Sequence, residues 1–254
     1  MGLPAMRSIV GRGPHPGRPV MSGIGRAARP AVVPSSPAEA GVSADDDGPA
    51  APFKHQSYGL YPTGRIGPNA IIQTAEALRL QRGDAAARSV FATAGLEAYL
   101  TAPPADMVDE AEVIRLHRAL RAALDEDSAR AASIKAGQLT AAYLLAYRIP
   151  PAAQRLLRLL PARLASHALS RAISAHAWTF AGTGRFTARP GKPTIYDISH
   201  CPLCRGQRAD HALCDFYAAT FATLFAELVH PHARAREISC QATGASACRF
   251  EIDW

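Results

Sequence analysis

The chain has 254 residues, 48% hydrophobic and 19% charged, and carries a formal charge of +7 from 28 Lys and Arg against 21 Asp and Glu. That balance excludes a chain that is disordered throughout, and no apolar run approaches the ~20 residues that a membrane-spanning helix needs. The longest, from Leu156 to Ile173, is broken by Arg158, Pro161, Arg163 and Arg171.

Residues 1–52 hold nine Pro and eight Gly, with no aromatic residue. Such a segment cannot bury enough apolar surface to offset the entropy of ordering, so it reads as a disordered tail. Its arginines are scattered among prolines without an apolar stretch, which argues against a targeting peptide. The folded unit is expected over 53–254, a length suited to one domain.

From there the pattern is helical. Ala70–Leu80 is amphipathic and Gly83 closes it. A second helix is expected over Ala87–Leu100, and a third over Met107–Asp125, where Val108, Val113, Leu116, Leu120 and Leu124 recur at helical spacing. Ser128–Tyr147 forms a fourth, stopped by Ile149-Pro150-Pro151, and Ala152–Leu160 a fifth. Pro161 starts another helix reaching Ala177, since proline is tolerated at a first helical position.

The character then changes. Trp178–Ala188 predicts a hairpin around Gly182-Thr183-Gly184, and Thr194–Ile198 a short strand. Cys214–Val229 is again helical. Arg236–Ala242 and Ala247–Ile252 predict two strands joined at Thr243–Ser246. Helices first, a mostly antiparallel sheet afterwards and one late helix make an α+β domain.

Charge is uneven. Between Ser128 and Tyr196 there are ten basic residues (among them Arg155, Arg158, Arg163 and Arg171) and no Asp or Glu. Such a run is either a solvated helix face or a surface for an anionic partner. Nucleic acid is the weaker choice, because no zinc-finger, helix-turn-helix or RNP-type pattern accompanies it.

All five cysteines lie in the cysteine-rich stretch 201–254: Cys201, Cys204, Cys214, Cys240 and Cys248. An odd number cannot pair completely, and crowded thiols without a secretory signal more often hold a metal. In the terminal hairpin Cys240 is expected across from Cys248. Alternation puts Ile238, Cys240, Cys248, Phe250 and Ile252 on one face, with Arg249, Glu251 and Asp253 on the other. Cys201-Pro-Leu-Cys204 is a metal-ligand spacing, Glu237 offers an oxygen, and His200 and His211 are near in sequence. These donors exceed four positions, so spacing alone does not choose a set. An iron–sulfur cluster would need four cysteines, but the gaps here lack compact ferredoxin spacing.

Six segments together resemble one family: Arg65-Ile-Gly-Pro-Asn-Ala-Ile-Ile-Gln73, Ala94-Gly-Leu96, Met107-Val-Asp-Glu110, Tyr147-Arg-Ile-Pro150, His176-Ala-Trp-Thr-Phe-Ala-Gly182, and Cys240-x7-Cys248-Arg-Phe. In this order they are similar to the bacteriochlorophyll-biosynthesis J protein family, whose domain is named after 4-vinyl reductase. The resemblance runs from about residue 55 onwards and implies an α+β ligand-binding fold like TRAPP components. It also implies a structural zinc on Cys214, Glu237, Cys240 and Cys248, with Cys204 and Cys201 as alternates. Strict alternation points Glu237 away from Cys240, so the resemblance requires a bulge there. Cys201 reads as an extra thiol, a surface cysteine ahead of a spare ligand.

The family name implies reduction of the C8 vinyl group of a chlorophyllide or Mg-porphyrin intermediate. No dinucleotide fingerprint supports that chemistry: Gly182-Thr183-Gly184 follows a helix and lacks a third glycine, and zinc is redox-silent. A reductant such as NADPH would have to come through another protein. The alternative is a non-catalytic tetrapyrrole carrier delivering intermediates to magnesium chelatase or to the true reductase; a ligand-sensor domain is a third reading. Trp178, Phe180 and Phe186 are candidate pocket walls, Arg155, Arg158, Arg163 or Arg171 a carboxylate anchor, and His176 a magnesium ligand or proton donor. The expected setting is the cytoplasm, at the edge of the photosynthetic membrane, and a homodimer is compatible with it.

Overall fold

The computed structural model describes residues 64–254. The tail expected at 1–52 and the domain start at 53 lie outside the described residues. Strand β1 (Arg65–Ile66) pairs antiparallel with β2 (Val108–Asp109). Helices α1 (Asn69–Ala94), α2 (Glu110–Ala123), α3 (Glu126–Tyr147), α4 (Pro151–Leu159), α5 (Ala162–Ala175) and the single turn α6 (Trp178–Ala181) precede the main sheet. Then come β3 (Arg185–Arg189), β4 (Thr194–Ser199), α7 (Asp215–Leu228), β5 (Arg234–Ser239) and β6 (Cys248–Asp253). The sheet order is β3-β4-β6-β5, antiparallel throughout, which is the α+β arrangement of helices, sheet and one late helix. No described helix is long and apolar enough to cross a membrane.

Local chemistry sets the boundaries. Asp109 caps α2 by accepting from the Ala111 amide at 2.8 Å, and Asp125 caps α3 by accepting from the Ser128 amide at 2.9 Å. Along β6, Cys248, Phe250 and Ile252 are buried while Arg249, Glu251 and Asp253 turn outward, as alternation requires.

Three boundaries differ from the sequence expectation. Helix α1 resumes beyond Gly83, whose φ of 80° only kinks it, and ends at Ala94; Glu97–Leu100 is a separate 3-10 turn. The helix expected from Met107 starts at Glu110, because Val108 and Asp109 are drawn into the pairing with β1. The hairpin expected at 178–188 is instead β3 with β4, turning at residues 190–193, while Trp178–Ala181 is helical.

The third difference has a physical cause in Glu110. This buried carboxylate accepts from the Thr183 amide at 2.8 Å, the Thr183 hydroxyl at 2.6 Å and Arg205 Nη1 at 2.6 Å. Residues 182–184 are therefore a corner wrapped around a carboxylate, not a hairpin tip. Gly182 sits there at φ 58°, and a Cβ on it would overlap the Glu110 carboxylate. Burial pushes the Glu110 carboxyl up, but the bonds from Thr183 and Arg205 outweigh it and hold it below the usual carboxylate range.

Helices α3 and α7 approach closely because the buried face of α3 is small: Ala129, Ala132, Ser133, Ala136, Gly137, Thr140 and Ala141. A Cβ at Gly137 would overlap the Phe216 carbonyl oxygen, and Thr220 donates its hydroxyl to Gly137 O at 3.2 Å. Between α7 and the sheet lies an aromatic core. Tyr196 has Phe221 at 5.0 Å, Phe186 at 5.1 Å and Phe225 at 6.0 Å between ring centroids, and Phe180 meets Phe186 at 5.3 Å. Its hydroxyl reaches Ser170 Oγ at 2.8 Å, fastening α5 to β4. His117 is buried on α2 with its ring edge on Phe216 and, among the described residues, no partner for Nε2. Burial, aided by nearby Arg121, lowers its pKa to about 3.

Two outcomes follow for stability. Gly95→Ala, at φ 67° with open space around it, should cost about 1 kcal/mol, whereas Gly182→Ala should cost at least twice that by chemical denaturation. His117 binds a proton more tightly in the unfolded chain, so its contribution is complete above pH 6.5 and drains as pH falls towards about 3. His117→Leu should flatten the denaturation midpoint over that window relative to wild type; parallel profiles would refute the assignment.

Candidate metal centre

Four segments deliver the thiols. Cys201 and Cys204 lie on the loop after β4, Cys214 sits at the start of α7, Cys240 follows β5, and Cys248 opens β6. All five are buried and none is in a disulfide. Sulfur–sulfur distances are 3.5 Å for Cys201–Cys214, 3.4 Å for Cys204–Cys248, 3.6 Å for Cys214–Cys248 and 3.9 Å for Cys240–Cys248. Two overlapping donor sets result, each with ligand atoms within 4.8 Å of one another: Cys201, Cys204, Cys214, Cys248, and Cys214, Glu237, Cys240, Cys248.

The second set is the one the family resemblance implies, and a local irregularity makes it reachable. Glu237 pairs with Phe250 and Ser239 with Arg249, so the register shifts between them and Ile238 is the extra residue. The bulge corrects the expected strand face: Ile238 is 47% exposed instead of sharing the buried side with Cys240. Cys201 also departs from the surface position expected of it. It is fully buried against Cys214, and its amide donates to Gln241 Oε1 at 2.7 Å. His200 and His211 belong to neither set; His211 is exposed and pairs with Asp210 at 2.8 Å and Glu126 at 3.5 Å.

The donor chemistry fits a single divalent ion. Tetrahedral thiolate sites with Zn–S near 2.3 Å have ligand sulfurs about 3.8 Å apart, close to the spacings found here. Thiolates of an iron–sulfur cluster reach different irons and stand further apart than these donors, which favours one ion over a cluster. Burial pushes the Cys214 thiol up, while hydrogen bonds from neighbouring thiols hold Cys204 well below the ordinary thiol range. Glu237 accepts from the Cys214 amide at 2.7 Å through Oε2, and its buried Oε1 has no partner among the described residues. Burial with the Cys240 charge raises its pKa to about 8. An unpartnered buried carboxylate oxygen beside five thiols is what a cation would satisfy.

Arg121, to which the sequence pattern assigns no role, frames the centre. From α2 it donates Nε to Gln207 Oε1 at 2.8 Å, Nη1 to Leu213 O at 3.4 Å and Nη2 to Leu203 O, so one guanidinium grips both ends of the cysteine loop. Burial lowers its pKa and the charges of Cys214, Cys204, Cys201 and Cys240 oppose that. The available signal is its position four residues after His117, on the apolar side of α2. Gln241 is a second omission: it accepts from Cys201 and donates to Ser246 O at 3.2 Å, tying the two cysteine loops together.

A cavity of about 670 Å³ adjoins the centre and shares Leu213 and Glu237 with its surroundings. Ala129, Ala218 and Ala222 give it small apolar walls between α3 and α7, and Arg130, Arg208 and His211 lie along it. None of the residues expected to bind pigment lines it. Phe180 and Phe186 are half-buried against the aromatic core, Trp178 is 61% exposed, and His176 is exposed with Nδ1 2.9 Å from Ala172 O. Arg155, Arg158, Arg163 and Arg171 stand on the outer faces of α4 and α5.

Comparison with known proteins places the chain. The model of the V-4-R domain matches residues 194–253, which span β4, the cysteine loops, α7, β5 and β6. The bacteriochlorophyll synthase 23 kDa chain of Cereibacter sphaeroides is 45% identical over 188 residues, covering 74% of this chain and 90% of the relative. The protein of the same name from Rhodobacter capsulatus is 38% identical over 189 residues, covering 74% and 86%. Among solved structures, an Fe(II) unliganded H-NOX protein mutant from K. algicida superposes with a TM-score of 0.50 at 11% identity, over 74% of this chain and 96% of that one, a likeness of fold alone. With these relatives the chain belongs to the family of the bacteriochlorophyll synthase 23 kDa chain, and the part that matches the V-4-R domain holds all five cysteines.

Proposed function

We propose that this protein acts in bacteriochlorophyll synthesis as a binder and carrier of a chlorophyllide or Mg-porphyrin intermediate, with the thiol centre holding a structural zinc ion. The observation that carries the reading is the cavity of about 670 Å³ beside the centre, within the size range of cofactor pockets, in a chain whose relatives bear a bacteriochlorophyll name. Small side chains from α3 and α7 leave a slot for a flat, apolar macrocycle. Arg208 at its margin suits a propionate, Arg130 beside it pairs with Asp215 at 3.3 Å, and His211 offers an imidazole at the mouth. Placing the guest here moves it away from Trp178, Phe180 and Phe186.

Vinyl reduction is the finer activity that the family resemblance implies. On the carrier reading, this chain contributes positioning of the macrocycle and exclusion of water, and electrons come from a partner such as the true reductase. The zinc supplies a redox-silent brace across the cysteine loops.

Titrating Mg-protoporphyrin into the purified chain should give a saturable, one-to-one shift of its main absorption band. Ala222→Trp, which fills the slot from a partly exposed position, should weaken that binding at least tenfold while the thermal transition stays in place. Unchanged binding would place the guest elsewhere. Conversion of a divinyl substrate by the chain and NADPH alone would replace the carrier with a self-sufficient reductase.

Metal analysis supplies a separate check. Cys214 and Cys248 belong to both donor sets, whereas Cys201 and Cys240 belong to one each. Cys214→Ser or Cys248→Ser should therefore lose the ion and about 3 kcal/mol or more of stability, while Cys201→Ser or Cys240→Ser should retain it. Equal loss in all four variants would contradict two overlapping sets.

A further inference from the structure

Among the described residues seven large apolar side chains stand exposed, and five of them fall between Tyr147 and Trp178: Tyr147, Leu156, Leu159, Leu164 and Trp178. The same interval contains Arg148, Arg155, Arg158, Arg163 and Arg171 and no acidic residue. Neither feature is needed to fold these helices. On α4, residues 153, 154 and 157 are the less exposed positions, and Gln154 donates to Ile149 O at 2.8 Å. On α5, Ser166 and Ser170 bond across to Thr194 and Tyr196, each at 2.8 Å. The inner faces are therefore already satisfied.

The outer face of α4 carries the apolar Ala152, Leu156 and Leu159 at i, i+4 and i+7, with Arg155 beside them. Leu159 is 83% exposed, and Pro161 turns the chain so that Leu164, 57% exposed, opens the next helix at the same corner. Arg158 is turned to α7, its Nε donating to Glu227 O at 2.9 Å and its Nη2 3.6 Å from the Glu227 carboxylate, while Arg155 and Arg163 stand exposed beside the leucines.

We infer that the α4–α5 corner is an interfacial surface that docks on an anionic phospholipid membrane. Projecting leucines with arginines around them match a headgroup layer: apolar tips enter the acyl boundary and guanidinium groups stay at the phosphates. A protein partner would more commonly meet a mixed-charge surface, whereas α4 and α5 contribute arginines and no carboxylate of their own, the one at this corner being Glu227 paired with Arg158, and that suits a uniformly negative plane. This inference stands independently of the pigment reading, since the cavity lies between α3, α7 and β5.

The test is vesicle flotation of the full chain with phosphatidylcholine vesicles, with and without about 30 mol% phosphatidylglycerol as the anionic probe. Partitioning should rise at least tenfold with the anionic lipid and fall severalfold in about 0.5 M salt, where the screening length drops below ~5 Å. Leu156→Glu combined with Leu159→Glu should abolish it, and Arg155→Glu with Arg163→Glu should remove the lipid selectivity, with unchanged circular dichroism and thermal transition in both. In a Trp254→Phe background, the emission of Trp178 on anionic vesicles reports whether contact extends past α5. Equal partitioning on both vesicle types, or full binding by the leucine variant, overturns the inference. So does a dimer that the leucine substitutions dissociate while no vesicle binding is seen, which would make the corner a protein interface.

Discussion

Five thiols and a carboxylate brought within a few ångströms of each other, out of water, are the constraint around which the C-terminal half is arranged. Each group is a potential anion; burial opposes ionisation, and mutual repulsion opposes it further. The fold supplies one fixed cation, Arg121, which directs its donors to the carbonyls of Leu203 and Leu213 and to Gln207. That places positive charge at the centre and gives the irregular loop between β4 and α7 a fixed course. A divalent ion held by the thiolates would answer the remaining charge. The unpartnered Oε1 of Glu237 marks the side from which the second donor set reaches it.

A second buried charge joins this half to the helical half. Glu110 begins α2, holds the corner at Thr183 and receives Arg205, the residue directly after Cys204. Arg205 continues to the carbonyl of His200, the residue directly before Cys201. One carboxylate thus fixes both the entry to β3 and the flanks of the Cys201–Cys204 loop. Removing a partner from such a node leaves a buried charge uncompensated, which costs far more than the node itself contributes. The motif segments at 65–73, 107–110 and 176–182 meet here: β1 pairs with β2, Gly67 donates to Thr179 O at 2.7 Å, and Gly182 leaves room for the carboxylate.

What the sequence conveys follows from the range of the forces involved. Helices over 128–147, 152–160 and 214–229, and the alternation of Cys248, Phe250 and Ile252, are set by local periodicity and are legible. Clustering of the five cysteines is legible too, and the resemblance requires a bulge at Glu237 for which no local signal exists. The Gly-rich corner at 182–184 imitates a hairpin because a turn and a corner share composition; only a carboxylate 73 residues earlier distinguishes them. Arg121 escapes a sequence reading because a charge on an apolar helix stripe looks like an amphipathic boundary until its acceptors, carbonyls of a distant loop, come into view. Aromatic content alone does not separate a ligand wall from core packing, and Phe180 and Phe186 stand half-buried against the core.

The small-residue seam between α3 and α7 connects the cavity to the metal centre mechanically. Where the helices touch, at Gly137 and Thr220, their backbones leave no room for a side chain. Alongside that contact the seam opens into the cavity, which follows α7 from Asp215 to Thr223, and Cys214 immediately precedes this helix. A guest of the kind proposed, spreading this side of the seam, would push on the helix that follows Cys214 and on Glu237, whose carboxylate already holds the Cys214 amide. Rigid bracing of Cys214 by the ion would then fix the width of the slot, because packed helices shift as bodies and do not stretch. On that argument the thiol centre defines the shape of the binding site without touching the guest, which is a role a redox-silent ion can fill.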